Sequence, residues 1–546
     1  MSKAVGSDLN KADILFVGAG PASLAGAIKL QQLLKESGRS ESVVVVEKGN
    51  KVGNHTLSGA IFDAEVLDEL LPDWKQDEHP FIKKMLENEV QKDSVKYLTH
   101  HFAVSVPNFI LPSDMKNEGL YTVSISELTA MLAEKATQLG VEIYTGFAAR
   151  DIVEENGFVK GVKLGDKGLN QEGEKQSNYV AGEEIKANVT VFGNGCLDPV
   201  LDRLTDKFEM TKDKNPQIYS VGVKEIIKLP EENNFGSNRV IHTMGFPNRR
   251  LTPDVFGGGT IYSMGGNYVA VALIMGLDWR YCDLNPQQEL QVYKSHKYVS
   301  KLIEGGEVVA YGAKTIPEGG YYSMPELVTN GAVIIGDAAG LVNIRKMKGL
   351  QYAVKSGIVA AEAIFASIQK GDYSKESLSA YKTALDDSFV GKDMRGARNY
   401  RQVFEKAKRV GVYLGAPLTK IQRLLPFRLK THPDYKSMKK SKLKRDYSEG
   451  VDRLTDVSYS GTFHREEQPS HITFVNTDDC RECEAKYGLN PCVCFCPGEV
   501  YKVEEGKMML SPSNCLHCKT CRVKCPYENI VWEVPEGADG PKYKVM

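Results

Sequence analysis

A chain of 546 residues has room for three or four domains at about 100–200 residues each and can bury a large core. Its 69 Lys plus Arg stand against 70 Asp plus Glu, a formal charge of −1, so no overall field draws it to nucleic acid, which is excluded as an expected partner. No stretch approaches the ~20 consecutive apolar residues that a bilayer-spanning helix needs, so any membrane contact is expected to be monotopic.

The opening, MSKAVGSDLNKADILFVGAG, has neither a basic region followed by an apolar run nor an Arg-rich presequence, and reads as a cytoplasmic start. Residues 12–20, ADILFVGAG, predict a buried strand ending in glycines, and residues 21–36 carry apolar side chains at helical spacing. A second apolar run, Val43 to Val46, ends in Glu47 and completes a strand–turn–helix–strand unit. In such a unit Gly18 permits the tight turn and Gly20 lets backbone approach a pyrophosphate. The helix N-terminus faces negative charge, and Glu47 accepts from a ribose hydroxyl. Ser23 replaces the third glycine and is still small enough for close packing of helix on strand. An ordinary glycine-rich turn is the competing reading.

Residues 331–340, GAVIIGDAAG, predict another buried strand, which reaches Asp337 in a small-residue turn before a helical pattern from Gly349 to Ile364. A capped helix start would also give this pattern. Paired with the first fingerprint, it resembles the second flavin motif of the glutathione-reductase-like and hydroxylase-like FAD families, in which the Asp holds the ribityl chain. No second glycine fingerprint follows a strand in mid-chain, and no Cys pair follows Glu47, so neither a tightly bound nicotinamide nor a disulfide reductase is expected.

Of eleven cysteines, only Cys196 and Cys282 lie outside the stretch from Cys480 to Cys525. Such density in a large chain with a cytoplasmic start points to metal rather than disulfides. Cys515-x2-Cys518-x2-Cys521-x3-Cys525-Pro526 is a full bacterial ferredoxin run, whose first three thiolates need a fourth from elsewhere to close a 4Fe-4S cube. Cys496, followed by Pro497, supplies it, before two predicted short strands, Glu499 to Val503 and Lys507 to Ser511. Cys480-x2-Cys483-x8-Cys492-x3-Cys496-Pro497 repeats the run with a longer insertion. Cluster one therefore takes Cys496, Cys515, Cys518 and Cys521, and a possible second cluster takes Cys480, Cys483, Cys492 and Cys525, leaving Cys494 over. Zinc is the competing reading, and three Cys at x2 spacing fit it poorly.

VGAGPASLAGAIKL, VVEKGNKVGNHTLSGAIFD and NCLHCKTC, followed by ENIVWEVPEGADGPKY, resemble the electron transfer flavoprotein-ubiquinone oxidoreductase family, prokaryotic type. LPDW, HTMGFP, FGGGTIYSM, ALIMGLDW, YGAKTIPEGGYYSMP and SGTFHREEQPSHITF extend the likeness in order along nearly the whole chain. The resemblance implies a membrane-associated enzyme taking electrons from reduced electron transfer flavoprotein to quinone, with FAD and a 4Fe-4S cluster as redox centres. It carries FAD contacts onto Gly18, Gly20, Ala22, Glu47, Gly336 and Asp337, and a quinone site onto Gly257 and Gly258, for which a flexible turn is the bland alternative. The sequence departs from the family's pattern of one cluster: an acidic residue is usual where Cys525 stands, and Cys480, Cys483 and Cys492 are additions. A second cube opens the choice of donor to a ferredoxin.

The expected fold is mixed α/β. A glutathione-reductase-like FAD-binding domain (1–95, 136–215 and 331–400) is interrupted by a β-rich quinone and membrane-contact domain (96–135 and 216–330). A basic interfacial connector (401–470) and a ferredoxin-like 4Fe-4S module (471–546) follow. Residues 101–112, HFAVSVPNFILP, and 410–429, with Lys420, Arg423 and Arg428, are candidate lipid contacts. Basic residues continue through Lys436, Lys439, Lys440, Lys442, Lys444 and Arg445, and suit an anionic surface or a plain solvated linker. His55, His242, His464 and His471 fall in family-like stretches, but none is singled out as proton donor to the quinone. The expected location is the cytoplasmic face of a prokaryotic inner membrane. A ferredoxin-dependent reductase of isoprenoid double bonds, a non-catalytic iron-sulfur docking component and a flavin monooxygenase remain the alternatives.

Overall fold

The structure, a computed structural model, describes residues 10–57, 61–107, 109, 115–248, 255–413, 427–441 and 452–546, with backbone alone for 407–413. Strand β1 (Lys11–Val17), helix α1 (Pro21–Glu36) and strand β2 (Val43–Glu47) form the first unit, as the apolar periods require. β1 and β2 pair in parallel, with Phe16 opposite Val45, and both are buried on each face, which explains their near-continuous apolar runs. They belong to an eight-stranded sheet. Glu184–Phe192 and Ala332–Ile334 extend it in parallel beyond β1, and Glu142–Thr145 extends it beyond β2. α1 crosses the long helix Leu350–Lys370 where both carry glycine. A Cβ on Gly357 would come 2.0 Å from the Ala22 carbonyl oxygen, so the helices meet backbone to backbone.

A seven-stranded sheet stands beside it, in the order 307–317, 219–228, 268–276, 257–263, 239–245, 92–98, 103–106. All its pairings are antiparallel except that of Arg239–Gly245 with Lys92–Leu98. The helix Ile125–Gln138 packs on α1 through the first core, with Leu128, Met131 and Leu132 fully buried. The expected division had placed residues 96–135 with the quinone domain. The amphipathic period identifies a buried face there but not which sheet receives it.

The C-terminal segment is not a separate lobe. Phe495, Tyr501 and Trp532 share one apolar core with Val221, Leu273 and Trp279 of the second sheet region. Two of its short strands are Tyr501–Glu504 and Lys507–Leu510, turning through Glu505 and Gly506, both in left-handed backbone, and Ile472–Phe474 pairs with Ile530–Trp532. Within 401–470, Arg401 is buried, pairing with Glu318 (2.8 Å) and Asp278 (2.6 Å) and lying over the Phe256 ring. That part of the connector is therefore core. Lys436, Lys439 and Lys440 are exposed, while Lys420, Arg423, Lys442, Lys444 and Arg445 lie outside the described residues.

Candidate functional site

Between the two sheets lies a cavity of about 630 Å³. Gly18, Gly20, Ala22, Glu47, Gly336, Asp337, Gly257 and Gly258 all line it, so the first fingerprint, the second flavin motif and the glycine pair face one space. Gly18 turns the chain off β1 at φ +88, and a Cβ there would sit 2.9 Å from Asn194 Cα. Gly20 precedes α1 with no neighbour closer than 3.7 Å to an added Cβ, leaving the helix start open to the cavity. Glu47 is held by the turn it faces, its carboxylate accepting from the Ala19 N–H (2.9 Å) and the Gly49 N–H (2.7 Å).

Gly336 adopts φ +62 and donates its N–H to Ser356 Oγ (3.0 Å), which sets Asp337 at the cavity wall. Burial pushes the Asp337 carboxyl up, and Lys314 opposes it. Both atoms of the Asn194 side-chain amide are buried at this wall without a partner. A cavity with a glycine cradle at a helix start, an acidic residue at the end of β2 and orphaned amide atoms fits FAD.

The glycine pair sits in a strand, not a turn. Gly257 and Gly258 open the strand Gly257–Ser263, and an added Cβ would come 2.1 Å from the Ile274 carbonyl oxygen at the first and 2.2 Å from that of Thr243 at the second. Glycine is thus demanded by neighbouring backbone, and the pair borders the cavity with no side chain in the way.

Near the same wall stands a polar network drawn from four separate segments. Lys348 Nζ donates to Asn117 Oδ1 (2.6 Å), Asn117 Nδ2 donates to Asp93 Oδ2 (3.0 Å), and Asn117 Nδ2 lies 3.3 Å from His242 Nε2. Lys348 and His242 line the cavity. Burial pushes the Lys348 ammonium down to about 8, opposed by Asp93 and Asp63. Burial, reinforced by Lys348, pushes His242 down to about 3. Lys348, Asn117 and Asp93 were not among the expected site residues. No motif spacing joins them, and only the apposition of the second sheet with the loop after Asp337 does.

The cysteines expected for the first cluster, Cys496, Cys515, Cys518 and Cys521, are all buried. Burial is the largest cause raising Cys496 to about 11 and Cys515 to about 12, and the charge of Cys518 is next for each. Cys483 is likewise pushed up to about 12, by burial and then by Cys525 and Cys480. Buried thiols that raise one another in this way fit a cationic iron-sulfur core, which would stabilise them as thiolates. Cys494 neighbours Arg453, Asp283 and Cys282 instead.

The cluster-one loop reaches the cavity by several contacts, among them the pairing of Lys519 with Asp198 of the cavity wall at 3.8 Å. Thr315, which lines the cavity, donates its hydroxyl to the Cys518 carbonyl (2.5 Å). His517, between Cys515 and Cys518, packs edge-on against His55 of the cavity wall at 5.3 Å, and lies 2.8 Å from His464 between Nε2 atoms. His464 stacks on His471 at 4.7 Å. Burial holds His55, His464, His471 and His517 all below the usual histidine range, so they form a neutral packed wall.

Two sheets facing one cavity lined by both flavin motifs, with a cysteine-rich module sharing the core of the second, define a flavoprotein oxidoreductase fold joined to an iron-sulfur domain. Comparison with known proteins agrees. The family model described as electron transfer flavoprotein-ubiquinone oxidoreductase, 4Fe-4S, matches residues 449–544, and the one described as ETF-QO, ubiquinone-binding, matches residues 219–316. The mitochondrial electron transfer flavoprotein-ubiquinone oxidoreductase of Dictyostelium discoideum is 37% identical, over 99% of this chain and 91% of that one. The Pseudomonas aeruginosa protein of that name is 37% identical over 98% of each, and the human mitochondrial protein 36% identical over 98% and 89%. The chain belongs to the electron transfer flavoprotein-ubiquinone oxidoreductase family. Among solved structures, a geranylgeranyl bacteriochlorophyll reductase-like protein from Thermoplasma acidophilum shares the fold at TM-score 0.56 and 17% identity, over 76% of this chain and 97% of that one. A flavin-dependent brominase shares it at TM-score 0.51 and 15% identity, over 76% and 92%.

Proposed function

We propose that this protein takes electrons from reduced electron transfer flavoprotein and delivers them to a membrane quinone. The observation that carries the reading is the shared cavity, where flavin-motif residues and Gly257–Gly258 face one space that Thr315 links to the Cys518 loop. FAD and a 4Fe-4S cluster, when bound, supply the one- and two-electron chemistry. Gly18, Gly20, Ala22, Glu47, Gly336 and Asp337 would hold the former, and Cys496, Cys515, Cys518 and Cys521 the latter. The bare edge at Gly257 and Gly258 admits a flat quinone ring. Lys348 holds a proton at Nζ for its reduction, and Asn117 keeps that ammonium in place.

A long-chain quinone reaches such a cavity from lipid. Phe102, Val104 and Phe109 are 60%, 49% and 88% exposed along the edge strand Ala103–Val106 and just past it, and Val106 and Met115 line the cavity. Residues 108 and 110–114 lie outside the described residues, as do 414–426 of the second candidate lipid segment. Among the described residues no helix is long and apolar enough to cross a membrane. The exposed apolar edge supports monotopic attachment. We infer a prokaryotic inner membrane, on its cytoplasmic face, and a bacterial relative, that of Pseudomonas aeruginosa, supports only the prokaryotic part of that reading.

Replacing Phe102 and Phe109 together by Asp is expected to weaken binding to sedimented anionic vesicles by about tenfold or more, since burying one Phe side chain contributes about 1.5–3 kcal/mol. FAD content and reduction of a water-soluble short-chain quinone should stay unchanged. Vesicle binding equal to that of the unaltered protein would remove this edge as the lipid contact.

The function itself is tested by anaerobic EPR of protein reduced with reduced electron transfer flavoprotein and then mixed with a short-chain quinone. A reduced-cluster signal that appears with the donor and disappears with quinone is expected. Reduction by a ferredoxin but not by the flavoprotein would move the assignment of donor. Reduced centres that ignore quinone would favour the isoprenoid reductase.

A further inference from the structure

Cys496 and Cys525 each open a Cys-Pro turn, and the two turns match in detail. The residue three places on, Glu499 in one and Glu528 in the other, takes left-handed backbone at φ 54 and 51. The N–H four places on, of Val500 and Asn529, donates to the cysteine sulfur at 3.5 and 3.4 Å. Cys496 is a ligand in the expected first cluster, so Cys525 stands in an equivalent sulfur cradle with no place in that cluster.

The short helices before these turns repeat the pairing. Pro491–Phe495 and Thr520–Lys524 pack against each other. On the first, the Cys496 N–H donates to the Cys492 carbonyl (3.2 Å), and on the second the Cys525 N–H donates to that of Cys521 (3.1 Å). On each side a helix cysteine and the cysteine at the helix's C-cap, Cys492 with Cys496 and Cys521 with Cys525, therefore stand one turn apart, about 6 Å along the axis at 1.5 Å per residue. One of each pair, Cys496 or Cys521, is expected in the first set, which leaves Cys492 and Cys525 without a place in it.

The helix Asp478–Tyr487 carries two more thiols, Cys480 and Cys483. Asn529, whose backbone N–H serves Cys525, also donates its side-chain N–H to Cys480 Sγ (3.6 Å) and so ties the two cysteines together. We propose that Cys480, Cys483, Cys492 and Cys525 hold a second 4Fe-4S cluster, which the one-cluster pattern of the family does not include.

The spacing separates this reading from zinc. Cys525 closes a Cys-x2-Cys-x2-Cys-x3-Cys-Pro run, and Cys480, Cys483 and Cys492 precede a second Cys-Pro, a spacing that suits cubes better than the paired short spacings of zinc sites. Backbone and amide N–H groups donating to cysteine sulfur are the outer contacts that tune an iron-sulfur centre. Cys480 is half-exposed, whereas all four thiols of the first set are buried. The second set is thus the one with a ligand open to solvent, and a role in receiving electrons there rests on the proposed function although the site itself does not.

The test is iron, acid-labile sulfide and zinc per FAD in the anaerobically purified full-length protein, with EPR of the reduced sample. About eight iron and eight sulfide are expected, with no stoichiometric zinc and an EPR spectrum of two interacting centres. Cys480→Ser/Cys483→Ser should lower iron to about four and leave the spectrum of one isolated cluster, while Cys494→Ser should keep about eight. If the double variant does not fold, the count on the unaltered protein decides. About four iron in that protein, or one zinc in the second set, overturns the proposal. A count of about four with quinone still reoxidising the reduced centres would remove the second cluster and leave the proposed function. A count of about eight with no response to quinone would do the reverse.

Discussion

Replacing Cys518 by Ser is expected to remove about four iron per FAD and to slow electron delivery from reduced electron transfer flavoprotein to quinone by about 100-fold or more, while FAD content stays near normal. Changes to groups that merely support a metal ligand cost about 10–100-fold, and loss of a ligand itself belongs at or beyond the upper end. Cys518 is central to its set. After burial, its charge is the largest influence raising each of Cys496, Cys515 and Cys521. Its carbonyl also accepts from Thr315, the residue that joins this loop to the cavity. FAD should persist because the flavin-motif residues belong to the first sheet and its core, whereas Cys518 packs in the second core. Visible absorbance for FAD, iron analysis and the donor-to-quinone rate check the three parts. An unchanged rate after loss of iron would take this cluster off the electron path.

What the sequence revealed and what it hid divide along a physical line. β1, α1 and β2 were legible because buried parallel strands and an amphipathic helix have fixed periods, and because Gly18 must take positive φ at their junction. The iron-sulfur module was legible because the short spacings of a ferredoxin run fix geometry within a turn or two. The shared cavity was not, since Lys348, Asn117, Asp93 and His242 come together only by tertiary packing. The histidine wall was hidden for the same reason, with His55 meeting His517 across more than four hundred residues of chain. Gly257 and Gly258 were expected by resemblance, and the structure adds the reason for glycine in the carbonyls of Ile274 and Thr243. Arg401 was read as part of a basic interfacial segment because a charge run cannot show that Glu318 and Asp278 wait for one member of it.

Replacing Lys348 by Met is expected to slow quinone reduction by about 100-fold or more, the lower end of what a positioned general acid contributes, and to abolish a pH dependence present in the unaltered protein. Reducing a quinone to a quinol consumes two protons. Among the groups in the cavity-wall network, Lys348 combines an open face on the cavity with a pKa near the working range. Burial lowers it from the ordinary lysine value to about 8, against the opposing charges of Asp93 and Asp63, and Lys346 adds to the lowering. His242, a titratable neighbour in the same network, is already neutral at pH 7 because burial pushes it to about 3. The ammonium form of Lys348 therefore prevails below about pH 7 and is lost as the pH rises through about 8. The rate at saturating quinone should be level below that point and fall above it. Met fills similar volume without a buried cation, so folding and FAD content should be kept. Lys348→Arg keeps the charge but holds its proton throughout this range, so it should lose the break near pH 8 while retaining much of the affinity for quinone. Such a split, kcat lowered with KM little changed, distinguishes proton delivery from a role in shaping the cavity. A Lys348→Met protein that kept both the rate and the break near pH 8 would assign the proton to another group.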